Sequence, residues 1–179
     1  MAFGYSQLIM AGAIPAVAYP LSLLNGLNSN GTSLAATTAA GNYAITRTAG
    51  SVLTLVSENA NNNTKTDTAI WAFTLPLDYQ PGSNLIVNVN ALYTPGSGTV
   101  GTHTVVAVAY LQAGAGAEGA NLVTTAAQST TASAAAYSFT VTGTNLLRNS
   151  LLTIGVTAVT QETAAGGNIT TTINGVTLT

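Results

Sequence analysis

Nine side chains in this 179-residue sequence carry or readily take a charge: three basic, five acidic and one histidine. Any chemistry has to come from that short list and from Ser, Thr and Tyr. His103, in G-T-H-T-V, is the one side chain suited to general-base work near neutral pH, and such work needs a nucleophile and an orienting acid beside it. Ser and Thr are so frequent here that a Ser/His/Asp match carries no weight. His103 therefore reads as a strand-edge residue facing solvent or bonded to a neighbouring Thr. Asp67 and Asp78 flank the strand that carries Trp71, and two carboxylates could hydrolyse a glycosidic bond if they converged. At roughly 3.3 Å per strand residue they stand well over about 20 Å apart, too far for one site. Asp78, in P-L-D-Y-Q-P-G, reads instead as a corner residue accepting backbone N–H bonds. Glu58, Glu118 and Glu162 each stand alone in loops, without the Asp/Asn spacing of a calcium loop. No catalytic residue, cofactor or metal is expected, and the chain reads as not an enzyme.

The elements around these residues are strands. The stretch Ala69–Leu92 reads as strand, corner, strand. Trp71, Phe73 and Leu75 share one face by the period of two, and Pro76 ends the ladder because it has no N–H to give. Pro81-Gly82 is a turn signal, after which Val87 and Val89 resume the alternation. Further on, Tyr137, Phe139 and Val141 form an inward row, as do Ile154 and Val156. These ten residues are the expected core, with Pro76, Asp78, Pro81 and Gly82 as the corner. Weaker strands are read at Tyr43–Thr46, Val52–Ser57 and Asn121–Gln128, and a loop at Gln112–Ala120. In the last strand, Ile169, Thr171 and Ile173 share a face that Val176 and Leu178 keep only if a bulge intervenes at Asn174-Gly175. No segment from Val52 onward holds a helical period. The pattern predicts an all-β fold: a single antiparallel sandwich of jelly-roll type with about eight strands.

Composition narrows the function. Charged residues make up 4% of the chain, against about 25% in an average soluble domain. Net charge is −2, so copies repel one another weakly and association is favoured. Three scattered basic residues cannot supply the phosphate contacts that nucleic acid demands. Without Cys there is neither a disulfide framework nor a thiolate metal site. The first 24 residues are apolar, but Pro15 and Pro20 interrupt them and no basic residue precedes Arg47, which disfavours a membrane span and a signal peptide. Residues 1–51 are expected to form an extended arm and linker, with 52–179 the sandwich. Phe3, Tyr5, Leu8, Ile9, Ile14, Val17, Tyr19 and Leu21 would then be the apolar contacts of an assembly arm. Three Asn-x-Ser/Thr matches (Asn30, Asn62, Asn168) are what an Asn- and Thr-rich chain produces by chance.

The passage A-I-W-A-F-T-L-P-L-D-Y-Q-P-G resembles a W-x-F-x-L/V-P-x-D-Y corner found in jelly-roll structural proteins of tailed phages. Ala126–Thr131, Ala136–Val141 and Asn168–Leu178 resemble the segments that follow it. That resemblance, over Val52 to Thr179, implies a virion protein of the capsid decoration (cement) or head and tail fibre type. It would bind capsid subunits, as a trimer, and stabilise the shell through charge-poor interfaces and the arm. A second expectation is a filament or surface-layer subunit in which the arm adds a strand to the next copy. A third is an extracellular carbohydrate-binding or receptor-binding module, its sugar face drawn from Tyr79, Tyr93, Tyr110 and Tyr137. Partners are thus capsid subunits, copies of itself or a glycan, with no nucleic acid and no membrane.

Overall fold

The structure is a computed structural model that describes residues 17–38, 40–47, 53–96, 99–112, 118–164 and 167–179. Two antiparallel sheets face each other. The first has the order β2 (Ala44–Arg47), β3 (Leu53–Val56), β11 (Thr170–Leu178), β5 (Leu85–Thr94), β9 (Ala135–Val141), and β1 (Tyr19–Leu21) also pairs with β11. In the second the order is β4 (Thr64–Thr74), β10 (Leu151–Glu162), β6 (Val100–Gln112), β7 (Glu118–Asn121), with β8 (Gln128–Ser129) also on β6. The chain changes sheet at β3–β4, β4–β5, β5–β6, β8–β9, β9–β10 and β10–β11. That repeated crossing makes this a sandwich of jelly-roll type, as the alternating pattern predicts.

The core comes from the inner rows of both sheets. Register sets Trp71 opposite Ile154 and Ile154 opposite Ala109, and Val89 between Val176 and Tyr137. Trp71, Leu75, Val87, Val89, Tyr137, Phe139, Val141, Ile154 and Val156 are all buried. Phe73 is the exception among the ten expected core residues: it is only half-buried, because its strand runs out at an open end of the sandwich. The Trp71 indole N–H donates to the Ser22 carbonyl at 3.0 Å, which ties the early chain to the second sheet. β11 shifts register between Ile173 and Gly175, so the bulge lies where the change of alternation requires it.

Several expectations need correction. The strands number eleven among the described residues, rather than about eight. The Trp71 strand begins at Thr64, five residues before Ala69. The stretch read as a loop at Gln112–Ala120 holds the start of β7, and the strand read at Asn121–Gln128 is largely irregular chain. Much of the expected arm and linker is built into the sandwich. β1 pairs with the end of β11, β2 extends the first sheet, and Leu21, Leu23, Leu34 and Tyr43 are core residues. Among the expected arm contacts, Leu21 is buried, Tyr19 half-buried and Val17 exposed, while Phe3, Tyr5, Leu8, Ile9 and Ile14 lie outside the described residues.

Candidate functional site

The two ends of the sandwich are built from different chemistry. At one end lies the corner after β4. Pro76 stops the ladder, and the chain turns through Tyr79 N–H to Pro76 carbonyl (3.2 Å) and Ser83 N–H to Gln80 carbonyl (3.1 Å). Gly82 has φ of 81°, the left-handed value that suits glycine in a Pro-Gly turn. The Tyr79 hydroxyl donates to the Ser83 carbonyl. Gly143 passes so close to Ser83 and Tyr79 that no Cβ fits there, and its N–H donates to Asn84 Oδ1 at 3.0 Å. The corner is therefore held by side chains on both of its arms, with Pro76, Pro81 and Gly82 in the roles the sequence suggests.

Beside this corner is a cleft of about 420 Å³. Its walls are Tyr19 from β1, Phe73 from β4 and Leu75 just after it, Tyr79, Gln80 and Asn84 from the corner, and Leu178 from β11. The Tyr19 and Phe73 rings meet at 5.8 Å between centroids, tilted by 55°. The Tyr19 hydroxyl donates to the Asp78 carboxylate at 3.1 and 3.3 Å to its two oxygens. Asp78 thus accepts from a tyrosine brought across by β1, where corner amides were expected. Desolvation, then the bond to Asp78, raises the Tyr19 phenol above its usual value. The cleft is mainly apolar and carries a few convergent polar groups at its rim: a carboxylate, two amides and a phenol. That is the composition of a pocket for a small neutral ligand with both polar and apolar faces.

The opposite end is polar but closed. Ser57, Asp67, His103, Thr160, Glu162 and Thr171 are all buried there. Thr160 Oγ1 lies 2.7 Å from Thr171 Oγ1 and 3.4 Å from Ser57 Oγ. The Thr171 N–H donates to Ser57 Oγ at 2.8 Å, so a chain of hydroxyls bridges the two sheets. Asp67 Oδ2 accepts the Glu58 N–H at 3.2 Å, while Oδ1 has no partner. Burial raises this carboxyl from 3.8 to about 7. Glu58, by contrast, is held below the usual carboxylate range by Lys65, 2.8 Å away, and by the Gly41 N–H. Glu162 is 1% exposed and accepts the Asn62 N–H at 3.3 Å through Oε2, leaving Oε1 unpartnered.

His103 corrects its sequence reading. It is buried, not solvent-facing, and stacks on Tyr93 across the sandwich at 4.5 Å and 14°. Neither ring nitrogen has a hydrogen-bond partner, and burial lowers its pKa, which favours the neutral imidazole. Without a bonded hydroxyl or acid it has nothing to activate. Asp67 and Asp78 lie at opposite ends of the sandwich, as the spacing argument requires. Among the described residues no three His, Asp or Glu side chains gather as a metal site.

The four tyrosines suggested as a sugar face do not share one. Tyr79 is in the cleft and Tyr93 is under His103. Tyr110 lies in a shallow depression of about 290 Å³ with Thr68, Thr153 and Glu118. Tyr137 is buried, its hydroxyl accepting the Thr131 N–H. The aromatic group that does converge is Tyr19, Phe73 and Tyr79. Sequence reasoning separated them, giving Tyr19 to the arm and Phe73 to the core. The missing signal was the pairing of Tyr19 with Leu178, which lays β1 beside the last strand.

No family model and no curated protein matches this chain. Similar solved structures include one described as "CBM4 structure and function", with TM-score 0.43, 10% identity and 76% of this chain against 87% of that one. Another is TmCBM61 in complex with β-1,4-galactotriose, with TM-score 0.44, 8% identity and 76% against 81% coverage. A third is the CBM22-1 xylan-binding domain of Paenibacillus barcinonensis Xyn10C, with TM-score 0.40, 11% identity and 76% against 79% coverage.

Proposed function

We propose that this chain is a non-catalytic carbohydrate-binding module that holds a saccharide in the corner cleft. The observation that carries this reading is the cleft itself. It has an apolar floor with Phe73 and Tyr19 meeting at an angle, and a rim of Asp78, Gln80 and Asn84. A pyranose ring has one face of C–H groups and an equator of hydroxyls. The C–H face suits an aromatic wall, and the hydroxyls suit carboxylate and amide acceptors and donors. The Asp78 carboxylate is already oriented by the Tyr19 phenol, so little ordering cost remains on binding. The galactotriose and xylan of the similar structures belong to those proteins, and neither is assigned here.

Such a module works by position and not by turnover. The His and the buried acids that would do chemistry are sealed at the other end, where a substrate cannot reach them. An extracellular location accords with the reading. An assembly role, as expected for a decoration protein, is the second reading, and the large apolar side chains exposed around the corner favour it.

The test is retention on a glycan array followed by calorimetry with the best ligand. Wild type should bind, and Phe73→Ala should weaken affinity by at least about tenfold, the loss typical of an aromatic anchor in a small site. Failure to retain any saccharide on the array would rule the reading out.

A further inference from the structure

We propose that the corner end of the sandwich is a two-fold interface between copies of this chain. Five of the seven large apolar side chains exposed among the described residues lie at this end: Val17, Leu77, Ile86, Leu147 and Leu151. Leu77 is 72% exposed and Leu147 62%. Turns normally present polar side chains to water, so two leucines offered outward from adjacent turns mark a contact surface.

The two turns form one rigid platform. Leu75 N–H donates to Ser150 carbonyl at 2.8 Å, Asn149 N–H to Leu75 carbonyl at 3.0 Å, and Gly82 N–H to Leu146 carbonyl at 3.2 Å. Arg148 adds a bond from Nε to the Tyr79 carbonyl at 3.1 Å. The leucines cannot fold inward without breaking these bonds, so they stay on the surface and are available for a contact.

Charge identifies the occupant. The patch holds one exposed acid, Asp78, and one exposed base, Arg148. Among the described residues the one ion pair is Lys65–Glu58, so neither of these charges has an ionic partner among them. A surface carrying one charge of each sign among apolar groups is complementary to itself. Rotated by a two-fold axis, Arg148 of one copy faces Asp78 of the other, and the leucines meet between them, as an isologous interface requires. A polyanion or an acidic membrane would instead call for several basic residues here. With 4% charged residues and a net charge of −2, two copies approach without a repulsive barrier.

Sedimentation velocity on the full chain tests the proposal, with thermal unfolding confirming that each variant folds. Wild type should sediment as a dimer in the tens of micromolar. The double variant Leu77→Asp with Leu147→Asp should raise the dimer Kd by at least about a hundredfold, two buried apolar anchors being lost. Arg148→Glu alone should raise it about tenfold, and adding Asp78→Arg should restore it to within about threefold of wild type, a charge-swap rescue that a merely structural role would not show. A wild-type monomer at about 100 µM, a trimer, or a dimer indifferent to the leucine and charge variants would overturn it. So would leucine-dependent binding of monomer to neutral phosphatidylcholine vesicles, which would make a lipid surface the occupant. Because Val17 and Asp78 also line the cleft, saccharide binding is read on the array with the Leu77→Asp, Leu147→Asp variant as well as wild type, so either proposal can fail without the other.

Discussion

The corner end and the hydroxyl-lined end are capped by the same strands and differ in what they leave open. At the corner, the inward rows finish in Phe73, Leu75, Leu85 and Leu178, and the polar groups stand outside them on the rim. At the other end the inward rows turn polar, with Asp67, His103, Thr160, Thr171 and Glu162 all inside. One end leaves apolar surface open, and the other hides ionisable groups from water. Residue type alone would have placed the chemistry at the second end. Exposure is what led us to propose the first, because a site must be reachable before its groups matter.

Four substitutions test how separate the two ends are. The largest effect should come from between them. Trp71→Ala removes the largest buried side chain and its tie to Ser22, and should lower unfolding free energy by about 3–5 kcal/mol in denaturant titration. If binding in the cleft survived that loss unchanged, the cleft would not depend on the shared core.

Next comes Asp67→Asn, which should act on the closed end alone. The folded protein holds this proton more tightly than the unfolded chain, 3.8 being raised to about 7. The stability it contributes is therefore present at acid pH and is lost as pH rises from about 4 to 7. Asp67→Asn should be about 2–4 kcal/mol more stable than wild type at pH 8, and close to it at pH 4. Equal stability of the two proteins across that range would show that Asp67 is hydrated in solution.

Phe73→Ala should do the reverse: weaken saccharide binding by about tenfold or more with a modest loss of stability, since the ring is half-buried. The smallest effect should be that of Asp78→Asn. An amide still accepts from Tyr19, so the melting temperature should not move, while affinity should fall severalfold as a charged acceptor becomes neutral. A large stability loss there would mean that the Tyr19–Asp78 bond holds β1 in place.

How far the sequence reveals these ends follows from how local each feature is. The strand row Trp71, Phe73, Leu75, the stop at Pro76 and the bulge at Asn174-Gly175 all rest on neighbours within a few residues, and all were legible. The cleft was not, because it needs Tyr19 laid beside Leu178 and Phe73, a contact between distant parts of the chain. The closed end was misread for a different reason. Thr64–Thr68, with Lys65 and Asp67 on the row that continues inward to Ala69, runs against the rule that inward positions are apolar. A strand that buries a carboxylate gives no hydrophobic alternation to follow. Residues 118–121 of β7 were missed similarly: all four are exposed, so they carry no burial pattern at all.

The central claim is that the open corner end, and not the buried polar end, meets ligand. Titrating a nitrogen-15-labelled sample with the saccharide retained most strongly on the array tests it residue by residue. The account predicts amide shifts confined to Tyr19, Phe73, Asp78, Tyr79 and Asn84, with those of His103, Glu162 and Thr171 unmoved. Shifts centred instead on Thr68, Tyr110 and Thr153 across the outer face of the second sheet would contradict it.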